Sequence, residues 1–183
     1  QDFIDHLDEF HVTIWIRYQN EPSKLVRELG KSNNELLISK FPIGLIINET
    51  KSNENFVFYK KFISSIRLNF GVTTLYNSSF MNFTLLKHIS FPLSLQTIGD
   101  TVFSKCTSLE EINLPSKLVK IGNKCFNECI GISEITFPDS IKEIGEYIFL
   151  GCSSLKEVKL PDSLEIIHNG AFSGCNLIEK ITI

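Results

Sequence analysis

Five phenylalanine residues lie 23 positions apart along this chain, with no insertion or deletion between them. They are Phe80, Phe103, Phe126, Phe149 and Phe172. A period of about 20 to 50 residues is typical of repeat proteins, in which one unit cannot bury its apolar side alone and packs it against the next unit. The period therefore predicts a stacked solenoid instead of one globular core.

Other residue types recur at fixed positions when each phenylalanine is counted as zero. Cysteine stands at +3, in Cys106, Cys129, Cys152 and Cys175. Branched apolar residues stand at +9, in Ile89, Ile112, Ile135, Val158 and Ile181, with apolar residues again at +11. Proline stands at +12, in Pro92, Pro115, Pro138 and Pro161. Glycine stands at +19, in Gly99, Gly122 and Gly145, and His168 breaks that series.

Each unit is predicted to contain one short strand. The apolar residues at +9 and +11 alternate with period two, and the proline at +12 removes a backbone donor and ends the strand. The glycine at +19 predicts a turn with positive φ, and the segment from Gly99 to Cys106 predicts a helical turn with its phenylalanine and cysteine pointing inward. Stacking the units in register lays their strands into a parallel sheet.

The repeats are predicted to span residues 57–183, with units that start near 57, 80, 103, 126, 149 and 172. The first unit is degenerate, since Asn69 replaces proline and Tyr76 replaces glycine, as expected of a terminal repeat. The last unit ends on a strand and leaves Ile181 and Ile183 without a following unit. We expect either that the chain is a piece of a longer protein or that a partner, including a second copy, covers this end.

The pattern Leu155-x-x-Val158-x-Leu160-Pro161-x-Ser163-Leu164-x-x-Ile167, followed by Ala171-Phe172-x-Gly174-Cys175, resembles the BspA-type class of leucine-rich repeats. The resemblance covers roughly residues 57–183. It implies an α/β repeat solenoid shaped like a horseshoe, and a surface-associated or binding protein without enzymatic activity. It implies no particular ligand.

Residues 1–56 do not follow the period and are predicted to form a small, mainly helical cap. Residues 10–18 fit a helix or a strand, and we favour the helix; further short helices are predicted over 23–29 and 33–39. Helices before leucine-rich repeats also resemble F-box adaptors of ubiquitin ligases. Four residues fit that motif in outline, although Asp8 stands where its proline is expected: Leu7, Ile14, Tyr18 and Leu25. An adaptor function is therefore the alternative hypothesis.

The cysteines are predicted to be buried thiols stacked in the core. Disulfides between units and a metal site are the alternatives, but a line of thiols does not converge on a metal as ligands must. Buried thiols favour the cytoplasm, whereas the family resemblance favours the cell surface. Three glycosylation-type triplets, at Asn48, Asn77 and Asn82, are of a kind that arises often by chance.

Charge and motif content exclude several classes of function. With a net charge of -3 and no basic stripe, the chain is not predicted to bind nucleic acid, and no apolar run is long enough to span a membrane. His6, His11, His88 and His168 are scattered, and no phosphate loop or metal-spacing motif occurs. We predict no catalytic residue, no cofactor and no metal, and we interpret His168 as a turn residue with an unusual backbone.

The candidate site is the exposed face of the parallel sheet, made by positions +7, +8 and +10. We call this set the stripe: Lys87, His88, Glu110, Glu111, Asn113, Glu134, Thr136, Lys156, Glu157 and Lys159. At +8, Glu111, Glu134 and Glu157 follow one another, and like charges about 5 Å apart repel by roughly 0.8 kcal/mol in water. One interpretation is a solvated surface on which they pair with Lys87, Lys156 and Lys159. The other is a site for a protein with a basic surface.

Overall fold

The computed structural model describes residues 15–18, 35–37, 63–68 and 72–183. The strands, in chain order, are β1 (Trp15–Tyr18), β2 (Glu35–Leu37), β3 (Ile63–Arg67), β4 (Thr74–Leu75), β5 (His88–Ser90), β6 (Thr97–Ile98), β7 (Glu111–Ile112), β8 (Lys120–Ile121), β9 (Glu134–Thr136), β10 (Glu143–Ile144), β11 (Glu157–Lys159), β12 (Ile166–Ile167) and β13 (Lys180–Thr182). The strands from β3 to β13 recur with the sequence period, so the 23-residue units defined by the phenylalanines are also the structural units of the fold.

The first strand line consists of β3, β5, β7, β9, β11 and β13, and it confirms the predicted parallel strands. Ile66 lies beside Ile89, and Ile89 lies beside Ile112, in parallel register. Val158 lies between Ile135 and Ile181 in the same way. Residue i therefore stacks on residue i+23, which places the same position of each unit in one row.

A second strand line was not predicted, and the expectation of one strand per unit is wrong. It consists of β4, β6, β8, β10 and β12, each only two residues long, at positions +17 and +18. Thr97–Ile98 pairs in parallel with Thr74–Leu75 on one side and with Lys120–Ile121 on the other. The apolar residue at +18 is buried from β4 to β10, and Ile167 of β12 is exposed. Two residues are too few to show an alternating pattern in the sequence.

The part of residues 1–56 that the structure describes is made of strands. β1 lies antiparallel between β2 and β3, so the sheet order is β2-β1-β3-β5-β7. The strand alternative is thus the one present at Trp15–Tyr18, and the helix predicted over 33–39 is wrong at Glu35–Leu37. On the side of β3 away from β5, no strand of the repeats pairs with its backbone groups. Strand β1 forms these hydrogen bonds instead, as an added strand does at the edge of a sheet. The rest of the predicted helical cap, including the helix over 23–29, lies outside the described residues.

Phenylalanine rings form a continuous stack through the core. Neighbouring ring centroids lie 5.5 Å apart from Phe80 to Phe103, 5.6 Å from Phe103 to Phe126, 5.2 Å from Phe126 to Phe149 and 5.7 Å from Phe149 to Phe172. The first four rings are fully buried and Phe172 is partly exposed. Each inner ring is therefore shared by two interfaces between units.

The segments that connect the second strand line to the next first-line strand form what we call the turn side. They contain successive turns, such as Ser104 N to Thr101 O at 3.1 Å and Cys106 N to Phe103 O at 3.0 Å. No α-helix occurs among the described residues, so this part is a β-solenoid and the α/β assignment is wrong for it. Backbone amides of the turn side also bind the neighbouring unit, as in Phe103 N to Cys125 O at 2.9 Å.

The glycines at +19 do not have the positive φ that was predicted for them. Positive φ values occur instead at +21, in Ser78, Thr101, Lys124, Tyr147 and Gly170, and at +2, in Asn82, Lys105, Glu128, Gly151 and Gly174. The unusual backbone predicted for His168 is also wrong, because His168 at +19 is not among the residues with positive φ. Lys, Thr and Tyr do not identify a left-handed position in a sequence, because few such residues adopt one.

Glycine at +19 is required because a side chain of the previous unit lies there. Asn77 Oδ1 accepts a hydrogen bond from Asp100 N at 2.8 Å, and a Cβ on Gly99 would lie 2.4 Å from that oxygen. Asp100 and Asn123 each accept the same bond from the next unit, at 2.8 Å. Glu146 takes the equivalent position in the next unit, and the +19 residue that follows it by 22 positions is His168 instead of glycine.

Both strand lines are interrupted at the same place. β5 and β7 belong to one sheet and β9, β11 and β13 to another, while β4, β6 and β8 are separated from β10 and β12. We call this boundary, between the units that start at 103 and 126, the seam. The ring stack and the turn-side hydrogen bonds continue across it.

Candidate functional site

The structure places the whole stripe on the solvent side of the first strand line. The apolar residue at the centre of each strand from β3 to β11 is buried, and its polar neighbours in the stripe are exposed or half-buried. This arrangement follows from the strand geometry, since successive side chains of a strand point to opposite faces. The seven stripe residues at +8 and +10 therefore share the outer face of the first strand line, and the three at +7, Lys87, Glu110 and Lys156, lie just before β5, β7 and β11 and are exposed or half-buried.

Ion pairs join the stripe residues of neighbouring units. Lys87 Nζ lies 3.0 Å from Glu110 Oε1, and Lys180 Nζ contacts Glu157 Oε1 at the other end of the stripe. Both pairs link residues 23 positions apart, because parallel register brings such residues side by side. Exposed pairs of this kind contribute little to stability, because solvent screens the charges and holding two long side chains in place costs entropy. They fix the direction of the side chains more than they stabilise the fold.

Glu157 pairs with a residue that the sequence analysis left out of the stripe. The hydrogen bond and charge of Lys180 lower the pKa of Glu157, with a smaller contribution from Lys159. The expected pairing with Lys156 or Lys159 is thus replaced by pairing with Lys180. The signal that could have identified Lys180 is its position at +8, one unit beyond Glu157 in the same row.

The central acidic residues are less compensated than the ends of the stripe. Glu111 Oε1 accepts a hydrogen bond from Asn113 Nδ2 at 2.7 Å, and Glu134 lies beside Glu157 in the parallel register of β9 and β11. Glu111 and Glu134 stand on opposite sides of the seam, on β7 and β9. The stripe is therefore acidic at its centre, with Lys87 toward one end and Lys156, Lys159 and Lys180 toward the other.

The cysteines do not supply a reactive group to the surface. All five are buried thiols, as predicted. Each cysteine at +3 donates its Sγ hydrogen to the carbonyl of the phenylalanine one unit earlier, as in Cys129 Sγ to Phe103 O at 3.0 Å and Cys152 Sγ to Phe126 O at 3.0 Å. Desolvation by burial raises the pKa of Cys129, and it raises the pKa of Cys152 to about 12. A thiol with a raised pKa is a poor nucleophile, because the thiolate is the reactive form.

The remaining titratable residues form no cluster with obvious chemistry. His168 Nε2 lies 3.4 Å from Glu143 Oε2 on the exposed side of the second strand line, and His88 is exposed on β5. His6 and His11 lie outside the described residues. In the part of the chain that the structure describes, no group of three or more histidine, cysteine or acidic side chains is placed to hold a metal ion.

Two further predictions concern the adaptor hypothesis and membrane-spanning segments. Leu7, Ile14 and Leu25 of the adaptor hypothesis lie outside the described residues, and Tyr18 ends strand β1, so that hypothesis stays a prediction. Among the described residues, no helix is long and apolar enough to cross a membrane.

Comparison with known proteins agrees with this architecture. The model of the BspA type leucine-rich repeat region matches residues 51–179 in six copies, which confirms the resemblance. A leucine-rich repeat protein of T. pallidum is similar, with 29% identity, a TM-score of 0.60 and coverage of 66% of this chain and 64% of that one. So is one from Bacteroides ovatus, with 28% identity, a TM-score of 0.52 and coverage of 66% and 37%. A third, from Eubacterium ventriosum, has 28% identity, a TM-score of 0.59 and coverage of 66% and 32%. The chain thus spans less than two thirds of each of these structures, and no curated protein matches it.

Proposed function

Because this chain belongs to the BspA-type leucine-rich repeat family, we propose that it is a protein-interaction module, without enzymatic activity, that binds another protein through the stripe. The observation that carries the proposal is the stripe itself. It is a row of charged and polar side chains, held in register over several units, on the face of the sheet that the core does not use. A solenoid presents such a row as one extended surface.

The partner that fits this surface has basic residues opposite the centre of the stripe. Glu111 and Glu134 have no lysine as an ion-pair partner among the described residues, whereas Glu110 and Glu157 do. Opposite charges on a partner would lower the repulsion between them, and such contacts speed association and set orientation. The stripe contains no tyrosine, tryptophan or phenylalanine, which are the usual anchors of tight interfaces, so we expect modest affinity.

Charge reversal tests the proposal. The variant Glu111→Lys with Glu134→Lys and the unmodified chain are immobilised separately and used to capture proteins from a cell lysate, and captured proteins are quantified by mass spectrometry. The proposal predicts that proteins captured by the unmodified chain are lost from the variant. Their capture should also weaken between low salt and about 0.15 M, where screening acts over about 8 Å.

A matched control separates the stripe from overall charge. Asp139→Lys with Glu146→Lys changes the net charge by the same amount at exposed positions away from the stripe. This control should capture the same proteins as the unmodified chain. If the two double variants behave alike, the stripe is not the binding surface, and cell-surface adhesion through another part of the molecule becomes the better hypothesis.

A further inference from the structure

The seam lacks backbone hydrogen bonds that the other unit boundaries have. On the first strand line, Glu110 N donates to Lys87 O at 3.1 Å and Lys156 N donates to Ser133 O at 2.8 Å. The equivalent donor at the seam is Ser133 N, one unit beyond Glu110. Within residues 72–183 it makes no backbone bond to the preceding unit, and β7 and β9 do not pair.

The second strand line is open at the same boundary. Val119 N donates to Gln96 O at 2.9 Å, and Glu165 N donates to Lys142 O at 2.8 Å. The equivalent donor at the seam, Lys142 N, forms no such bond to the preceding unit within residues 72–183. Two independent strand lines are thus interrupted together, which a local irregularity of one strand would not produce.

The turn side keeps the two units together. Lys105 N donates to Asn127 O at 2.8 Å, and Lys124 N donates to Glu146 O at 2.9 Å. The rings of Phe103 and Phe126 stack almost in parallel, 3° apart. One side chain still crosses near the strands, since Ser140 Oγ donates to Leu118 O at 2.5 Å. The seam is therefore closed on one side and weakly held on the other.

A glycine marks the seam in the sequence. A Cβ on Gly131 would lie 2.7 Å from Leu109 O, so the chain approaches the preceding unit here more closely than any other residue type allows. The equivalent positions in the neighbouring units are Ser108 and Ser154. The close approach lies two residues before Ser133, the first-line donor that lacks its bond, and the variant Gly131→Ser below tests whether it also opens the second line.

We propose that the seam is a hinge with its pivot on the turn side, which lets the two halves of the stripe, residues 87–113 and 133–159, change their mutual angle to fit a partner. Glu111 and Glu134 stand on opposite sides of the seam, and neither carboxylate has a lysine partner among the described residues. Opening of the hinge therefore changes the distance between these two negative charges. The adaptation to a partner rests on the proposed function. The hinge itself does not, because it is a property of the protein without any partner.

Amide hydrogen exchange of the full chain, free of partner, tests the hinge. Exchange through local opening reports the stability of each segment separately. We expect Ser133 and Lys142 to exchange at least about tenfold faster than their equivalents Glu110, Lys156, Val119 and Glu165. Equal protection at the seam and at the other boundaries would overturn the proposal, whatever the stripe binds.

The variant Gly131→Ser tests the origin of the hinge. It gives the seam the residue of its neighbouring units, and we expect Ser133 and Lys142 to become as protected as their equivalents, with unchanged circular dichroism. Unchanged fast exchange in the folded variant would overturn the role of Gly131. If the variant does not fold, exchange in the unmodified chain still decides whether the hinge exists. If charge reversal at Glu111 and Glu134 leaves capture unchanged while the exchange pattern is as predicted, the proposed function is refuted and the hinge stands.

Discussion

Replacing Phe126 with alanine should destabilise the protein strongly, because this ring is completely buried between two others. Its centroid lies 5.6 Å from that of Phe103 and 5.2 Å from that of Phe149, and its exposed fraction is 0%. Truncating a buried phenylalanine costs about 3 to 5 kcal/mol. Two ring contacts of about 0.5 to 1.5 kcal/mol each are part of that loss, so we expect the upper half of the range.

The matched control is Phe172→Ala, which removes the same side chain at the end of the stack. Phe172 contacts one ring, Phe149, and is already partly exposed. We expect it to lose roughly half as much free energy of unfolding as the inner position, since one ring contact and part of the burial are missing. Urea unfolding followed by far-ultraviolet circular dichroism gives both values. Equal losses for the two variants would refute the view that the ring stack transmits stability between units.

Three further outcomes follow from the same structure. Gly122→Ala should cost about 1 to 3 kcal/mol in urea unfolding, because the new Cβ would lie 2.4 Å from Asp100 N, whereas His168→Gly should cost no more than about 1 kcal/mol. Reducing agent should leave the melting temperature unchanged, because the cysteines are thiols; a large drop would contradict this. Stability should fall as the pH rises above about 8.5, the ordinary thiol pKa, because buried thiols such as Cys129 keep their protons while the unfolded chain loses its own. Each such thiol then contributes a slope of about 1.4 kcal/mol per pH unit, and a flat profile from pH 8 to 10 would contradict their burial.

The repeat frame, the first strand line and the exposure of the stripe residues could be predicted, because the fold accepts only certain residue types at each of these positions. Phenylalanine and cysteine recur at the positions of Phe103 and Cys106 because each unit packs a ring and a thiol at the same place in the core. The alternation around Ile112 identifies a strand with one buried face. The same residue types recur in successive units, and this recurrence distinguishes the patterns from chance matches.

The rest depends on contacts between units, which a single unit does not display. Glycine is required at position 99 because the amide oxygen of Asn77, 22 residues earlier, leaves no room for a Cβ atom. The sequence suggested a turn with positive φ instead, which was the wrong reason for this glycine. Lys105 and Lys124 adopt positive φ because bonds to the next unit hold them there, and nothing about lysine predicts it. Gly131 could have been noticed, since from the unit that starts at 80 onward it alone breaks the serine and leucine series at +5, but only the structure shows what lies opposite.

Apolar residues of the last two described strands are more exposed than their equivalents in earlier units. Ile181 is 53% exposed, although the residues stacked beneath it at +9 are buried, and Ile167 is 48% exposed in the same way. Ile183 is exposed as well. That a second copy packs on these residues stays a prediction. Sedimentation of the chain over a range of concentrations would show whether a second copy does so.

The most direct test of the account is the hydrogen-exchange footprint of a protein captured through the stripe, measured on this chain with and without that partner bound. We predict added protection at the strands of the first line, centred on β7 and β9, where Glu111 and Glu134 lie. Amides on the turn side, such as those of Phe103 and Lys124, should exchange at the same rate in both samples. A footprint on the turn side or within residues 1–56, with the first strand line unchanged, would contradict the account.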